Sequence, residues 1–71
     1  MRNLKALRVK YGLTQADMAK KLEISEVAYR NKENGYTQFT LNEARKISKI
    51  FKETIEAIFF ENEVYTKETT A

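Results

Sequence analysis

The feature that most constrains the fold of this chain is a connection of only two residues between two helical segments. The first segment ends at the apolar Leu22, the connection is Glu23-Ile24, and Ser25 is a suitable N-cap for the next helix. Two helices joined by so short a turn cannot lie antiparallel, so they must cross steeply. The second of the two is therefore expected to stand prominently on the surface.

Helix signals along the rest of the chain predict an all-α fold with five helices. Apolar residues at helical spacing predict a first helix over residues 3–11, which ends at Gly12. The predicted N-caps of the other four are Thr14, Ser25, Thr40 and Thr54, and the third helix is expected to stop at Asn34-Gly35. The expected inner faces are Met18, Ala19 and Leu22 in the second helix, Leu41, Ala44, Ile47, Ile50 and Phe51 in the fourth, and Ile55, Ile58 and Phe59 in the fifth.

The chain divides into one helical domain, residues 1–60, and a different C-terminal segment, residues 61–71. With 71 residues in all, a single domain is expected. The segment ENEVYTKETTA is polar apart from Val64 and Tyr65. It is predicted to be a tail, or one short strand that would need a partner.

The composition argues against most enzyme classes. The chain has no cysteine and no histidine, so it has no Ser-His or Cys-His pair and no zinc site built on those residues. Gly12 and Gly35 are the only glycines, which excludes a glycine-rich phosphate loop. We therefore expect no enzyme activity, metal, cofactor or small-molecule ligand. The absence of cysteine is compatible with the cytoplasm, where we expect the protein to be located. The sequence also lacks a membrane span and a signal-peptide pattern.

Charge is distributed unevenly along the chain. Residues 1–52 carry 12 basic and 5 acidic side chains (+7), whereas residues 53–71 carry 1 and 5 (−4), and these sum to the net charge of +3. A basic body suggests a polyanionic partner, although an ordinary solvated surface would also explain the asymmetry.

The stretch TQADMAKKLEISEVAYRNKENG resembles the helix-turn-helix of the lambda-repressor/Cro type, the XRE family. In that family Gln opens the second helix, Ala lies in its middle, and the third helix ends in Glu-Asn-Gly. Gln15, Ala19 and Glu33-Asn34-Gly35 match these positions, and the resemblance covers residues 3–59. It implies a five-helix, lambda-repressor-like DNA-binding domain whose third helix enters the major groove.

The resemblance also implies roles for individual residues. A groove-facing third helix explains why SEVAYRNKENG lacks a wide apolar stripe, although ordinary solvation would too. The expected base contacts are Glu26, Val27, Arg30 and Asn31. The expected phosphate contacts are Gln15, Lys32, Asn34, Tyr36, Thr37 and Gln38. Arg8 and Glu33 match a family ion pair, for which loss of one partner costs roughly 3–5 kcal/mol if it is buried and about 0–1 if it is exposed.

Three positions depart from the family pattern. Glu23 stands where the turn often has Gly, so a left-handed conformation there would cost about 1–2 kcal/mol. Tyr29 replaces a smaller aliphatic residue, and its hydroxyl is expected at the edge of the core. Lys32 also replaces an apolar residue, and its ammonium is expected to reach water or phosphate.

The implied function is that of a sequence-specific transcriptional regulator, most simply a repressor that binds a near-palindromic operator in double-stranded DNA as a homodimer. In the cytoplasm such a protein is expected to be nucleoid-associated. The dimer interface is expected at Ile58, Phe60, Val64 and Tyr65, unless Phe60 folds back onto the core. An antitoxin or a restriction-system controller of the same fold would have a similar sequence. A helical protein-interaction module without DNA affinity is the alternative from a different class.

Overall fold

The computed structural model describes residues 2–60, and these form five α-helices. They are α1 (Arg2–Lys10), α2 (Gln15–Leu22), α3 (Glu26–Glu33), α4 (Leu41–Phe51) and α5 (Ile55–Phe59). The predicted all-α, five-helix fold is thereby confirmed, and no strand occurs within residues 2–60. Residues 61–71, on which the predicted tail or strand falls, lie outside the described part.

The N-termini of α2 to α5 are capped by side chains, as the sequence predicted. In each case the hydroxyl of the N-cap accepts a hydrogen bond from the backbone N–H three residues later, which satisfies one otherwise free donor. At Thr14 and Thr40 the bond is reciprocal, because the carboxylates of Asp17 and Glu43 accept the N–H of the cap residue. These local bonds fix where the helices start.

Left-handed backbone ends two helices at residues other than glycine. Glu23, between α2 and α3, has φ 60° and ψ 42°, and its N–H donates to the carbonyl oxygen of Lys20 at 3.1 Å. Lys52, after α4, has φ 56°, which the sequence did not signal. Each conformation costs about 1–2 kcal/mol for a residue with a side chain. At Glu23 the left-handed residue ends α2 two residues before Ser25 caps α3.

The core lies between all five helices. Its buried members are Leu4, Met18, Ala19, Leu22, Tyr29, Ile47, Phe51 and Ile58. Ala19 is small and only 3% exposed, at the α2–α3 contact, where a larger side chain would push α3 outward. Ile50, Ile55 and Phe59 are half-buried at the margin.

Two predictions about apolar residues are wrong. Leu41 was expected on the inner face of α4 but is 61% exposed. It is the first residue of the helix, where the side chain leans back over the preceding loop and away from the core. Ile58 was expected both on the inner face of α5 and at a dimer interface; it is only 2% exposed, which confirms the first expectation and contradicts the second. It points into the core, and Phe60, after the end of α5, remains 47% exposed.

Candidate nucleic-acid interface

Helix α3 separates into a buried face and an exposed face. Tyr29 is fully buried and Glu33 is 2% exposed, one helical turn apart, and they anchor the helix to the body. On the other side Val27 is 57% exposed, and Glu26 and Arg30 are also exposed. Asn31 is half-buried beside them. The structure therefore brings the four predicted base-contacting residues to one outward-facing surface.

Glu26 and Arg30 form a weak ion pair on that surface. Arg30 Nη2 lies 3.8 Å from Glu26 Oε2, and each side chain is about half exposed. An exposed pair with this spacing along a helix contributes only about 0.3–0.5 kcal/mol. Both side chains can therefore exchange this contact for another partner at little cost.

The anchor beneath α3 is a buried hydrogen-bond network around the Glu33 carboxylate. Arg8 Nε donates to Oε2 at 2.7 Å, and the Tyr29 hydroxyl donates to the same oxygen at 2.8 Å. Gln15 Nε2 donates to Oε1 at 2.9 Å. Arg8 also donates to the carbonyl oxygen of Leu13 at 2.9 Å. The predicted Arg8–Glu33 ion pair is thus present and buried, and it ties α1 and the start of α2 to the end of α3.

The protonation states of this network follow from its contacts. Burial alone would raise the pKa of the Glu33 carboxyl, but hydrogen bonds from Arg8, Gln15 and Tyr29 together hold that pKa below its ordinary value. The hydrogen bond to Glu33 raises the pKa of Arg8. The pKa of the Tyr29 hydroxyl is strongly raised, mainly because the group is buried and also because it donates a hydrogen bond to Glu33. The network therefore consists of a carboxylate, a guanidinium and a neutral phenol.

The prediction for the Tyr29 hydroxyl is wrong. It was expected at the edge of the core, but the whole side chain is buried. The hydroxyl has a charged acceptor in Glu33 inside the domain, so burial leaves it satisfied.

Gln15, a predicted phosphate contact, lies at the first position of α2 with its amide nitrogen already bonded to Glu33. Gln15 and Glu26 line the same open cleft of about 500 Å³, together with residues of α1 and the α1–α2 loop. The beginning of α2 therefore contacts the end of α3 through Glu33 and shares a cleft with the first residue of α3. This is the arrangement in which one helix end can meet the DNA backbone while the next meets bases.

The loop between α3 and α4, residues 34–40, carries the other predicted phosphate contacts. The side chains of Asn34, Tyr36, Thr37 and Gln38 are exposed. The carbonyl oxygen of Asn31 accepts the N–H of Tyr36 at 2.9 Å and that of Thr37 at 3.4 Å. The loop therefore folds back along the end of α3, next to its outer face.

Lys32 is placed differently from expectation. Its ammonium was expected to reach water or phosphate, but it lies 3.1 Å from Glu43 Oε1 and donates to the carbonyl oxygen of Gln38 at 3.0 Å. The side chain is only 16% exposed. Glu43 and the loop therefore supply this ammonium with partners inside the domain.

An apolar groove of about 370 Å³ lies between the start of α4 and α5. Phe39, Ala44, Ile55 and Phe59 contribute to its lining, and the exposed Leu41 and Phe60 belong to it as well. Of the predicted dimer residues, Phe60 lies here, Ile58 is in the core, and Val64 and Tyr65 lie outside the described residues.

Sequence reasoning missed three features of the site: the Tyr29–Glu33 bond, the Lys32–Glu43 pair and the exposure of Leu41. The polar residues at apolar positions 29 and 32 were the available signal, but their partners are set by tertiary packing.

Within residues 2–60, no group of acidic side chains is arranged to hold a metal ion. No helix in this part of the chain is long and apolar enough to cross a bilayer.

A short α2–α3 turn, a third helix anchored on one face and exposed on the other, and a neighbouring polar loop define a helix-turn-helix domain. A family model described as helix-turn-helix matches residues 4–58 of the chain. The protein belongs to this family, in its XRE or lambda-repressor type of DNA-binding regulators. No curated protein and no solved structure matches the chain significantly.

Proposed function

We propose that the protein is a sequence-specific transcriptional repressor that acts in the cytoplasm, without enzyme activity, as a homodimer on a near-palindromic operator. The observation that carries this proposal is the outer face of α3, where Glu26, Val27, Arg30 and Asn31 are displayed without an apolar stripe. The buried Tyr29 and Glu33 hold this face outward. In this family such a helix lies in the major groove.

Each of the four side chains has a matching partner among the base edges. Asn31 suits an adenine edge, Val27 a thymine methyl group, and Glu26 the amino group of cytosine. Arg30 suits guanine or a phosphate. The Glu26–Arg30 pair is weak enough to open when these contacts form.

Phosphate contacts would flank the bases. The exposed side chains of Asn34, Tyr36, Thr37 and Gln38 follow the end of α3, and Gln15, which is bonded to Glu33, shares a cleft with Glu26 at the beginning of α3. Contacts from these two sides would fix the register of α3 in the groove without selecting sequence. The basic balance of residues 1–52 supports a polyanionic partner.

The dimer is supported by the apolar groove. Leu41 and Phe60 are 61% and 47% exposed and lie in one groove with Phe39 and Phe59. Large apolar side chains gathered in one groove are typical of protein interfaces. A second copy bound there would present a second α3, and one α3 alone offers few base contacts. Half-sites are then expected about 34 Å apart, one turn of the duplex.

Selection of bound sites from a pool of random duplex DNA tests the proposal. We expect enrichment of an inverted repeat with that spacing, and affinity for the selected site that falls steeply with salt. The variant Asn31→Ala should lose the base preference at the operator position that Asn31 contacts. Recovery of random sequences, or no recovery of DNA, would contradict sequence-specific binding.

The dimer has a separate test in analytical ultracentrifugation. We expect dimers at high micromolar concentration, and monomers for the variant Leu41→Ser/Phe60→Ser. Val9→Ser is the matched control, because Val9 is an equally exposed apolar residue on α1 outside the groove. A monomeric wild-type protein, or dimers in the double variant, would contradict pairing through this groove.

A further inference from the structure

The ammonium of Lys32, on α3, joins the α3–α4 loop to the start of α4. Nζ donates to the backbone carbonyl of Gln38 at 3.0 Å and lies 3.1 Å from Glu43 Oε1. It also lies 5.8 Å from the centre of the Phe39 ring. The two charged side chains are 16% and 14% exposed. One side chain of α3 therefore contacts the loop at two successive residues and α4 at a third.

The carboxylate on the other side of this pair is itself fixed. Glu43 Oε1 accepts the N–H of Thr40 at 2.9 Å, and the Thr40 hydroxyl accepts the N–H of Glu43 at 3.1 Å. The ion pair with Lys32 is thus attached to the capping box that starts α4. Both the position of Glu43 and the exit of the loop are set by the same bonds.

The loop is consequently held along most of its length. Its first half is bonded to the carbonyl oxygen of Asn31 through the N–H groups of Tyr36 and Thr37. Its second half is bonded to Lys32 through the Gln38 carbonyl. The Phe39 ring points inward, with its centre 5.9 Å from that of Tyr29. The side chains of residues 36–38 are left on the outside.

A loop fixed in this way binds with less loss of entropy than a mobile one. Ordering side chains and loops at an interface costs conformational entropy, which weakens binding. Bonds that order the loop before binding remove part of that cost. The ammonium of Lys32 takes part in these internal bonds, with Glu43 and the Gln38 carbonyl.

We propose that Lys32 is a positioning residue of the DNA interface, which orders the phosphate-facing loop through Glu43 and the Gln38 carbonyl and makes no phosphate contact itself. This inference rests on the proposed function. It replaces the direct contact that the sequence suggested for Lys32.

The variant Lys32→Met/Glu43→Gln tests it at constant net charge. Methionine keeps an unbranched apolar stem, and glutamine can still complete the capping box. With the selected operator duplex as probe, we expect affinity to fall about tenfold, which corresponds to ordering one or two more residues on binding. The slope of log K against log salt should stay equal to that of the wild type. If Lys32 touched a phosphate, the slope would fall by about 0.9.

Glu43→Gln alone gives an independent answer, with Glu53→Gln as a control of equal charge change. Glu53 is exposed and follows α4. We expect Glu43→Gln to bind more weakly than Glu53→Gln, because the loop loses its charged anchor. If Lys32 were a phosphate contact, loss of Glu43 would release its ammonium. The Glu43→Gln variant would then bind DNA as well as, or better than, the Glu53→Gln control.

A measurement on the free protein separates failure of this inference from failure of DNA binding. In Lys32→Met/Glu43→Gln, amide hydrogen exchange at residues 36–39 should accelerate, whereas α1 and α2 should keep their protection. Lys49→Met changes an exposed lysine on α4, and it should alter neither the exchange at residues 36–39 nor the protection of α1 and α2. Unchanged exchange at residues 36–39 would overturn the positioning role even if the wild type binds its operator. Accelerated exchange would support the ordering role of Lys32 even if the selection experiment failed.

Discussion

Replacement of Arg8 by methionine removes the charged partner of the most buried carboxylate among the described residues. Glu33 would lose donors at 2.7 and 3.4 Å, and the carbonyl of Leu13 would lose its donor at 2.9 Å. Gln15 and Tyr29 would still donate to the carboxylate, but its charge would no longer be balanced. We expect a cost of about 3–5 kcal/mol, the range for breaking a buried pair by removal of one partner.

That cost is large for a domain of this size. At about 0.05–0.15 kcal/mol per residue, a 71-residue chain has a free energy of unfolding of roughly 4–11 kcal/mol. Urea unfolding followed by circular dichroism at 222 nm measures the change. The double variant Arg8→Met/Glu33→Met removes both charges, so it should recover about 2–3 kcal/mol of the summed single losses as coupling energy.

The exposed pair of α3 provides the control cycle. Arg30 and Glu26 are 3.8 Å apart and about half exposed, so Arg30→Met and Glu26→Gln should couple by no more than about 0.5 kcal/mol. A coupling energy for Arg8 and Glu33 as small as that of this control would refute the structural role of the buried pair.

Three further outcomes are expected. Tyr29→Phe should lower the free energy of unfolding by about 2 kcal/mol, the value of a hydrogen bond to a charged group; no change in the urea midpoint would contradict it. Acid should destabilise the fold, because folding lowers the pKa of Glu33. The contribution of Glu33 to the free energy of unfolding is complete above the unfolded-state pKa near 4.3, and it disappears as the pH falls through the lower folded-state pKa. Glu23→Gly should raise the melting temperature slightly, since relief of about 1–2 kcal/mol of left-handed strain exceeds the added entropy of the unfolded chain, about 0.4–1 kcal/mol; a lower melting temperature would argue against strain at φ 60°.

The helix boundaries were predictable because their determinants are local. A hydroxyl at Thr14 or Thr40 bonds an amide three residues away, and the carboxylate of that residue returns the bond. The stop at Gly35, with φ 87°, follows similarly from a single residue type. Such signals need no knowledge of the rest of the fold.

The parts that were not predicted depend on contacts between distant segments. The apolar pattern of α4 includes Leu41, but at the first position of the helix its side chain leans over the preceding loop, and the pattern does not reveal the course of that loop. Lys32 and Glu43 are separated by a loop, so their pairing becomes visible only when that loop is placed. The left-handed Lys52 is a different case: the bonds at this helix end are local, from its own N–H and that of Glu53 to the carbonyl oxygen of Ser48, but no glycine announces them.

The most direct test of DNA reading by α3 is the affinity of Arg30→Ala/Asn31→Ala for the selected operator and for random duplex DNA at the same salt concentration. Each lost base contact is worth about 1–3 kcal/mol, so operator affinity should fall at least about tenfold, while random DNA loses much less. Unchanged operator affinity, or an equal loss on both duplexes, would contradict base recognition by this helix.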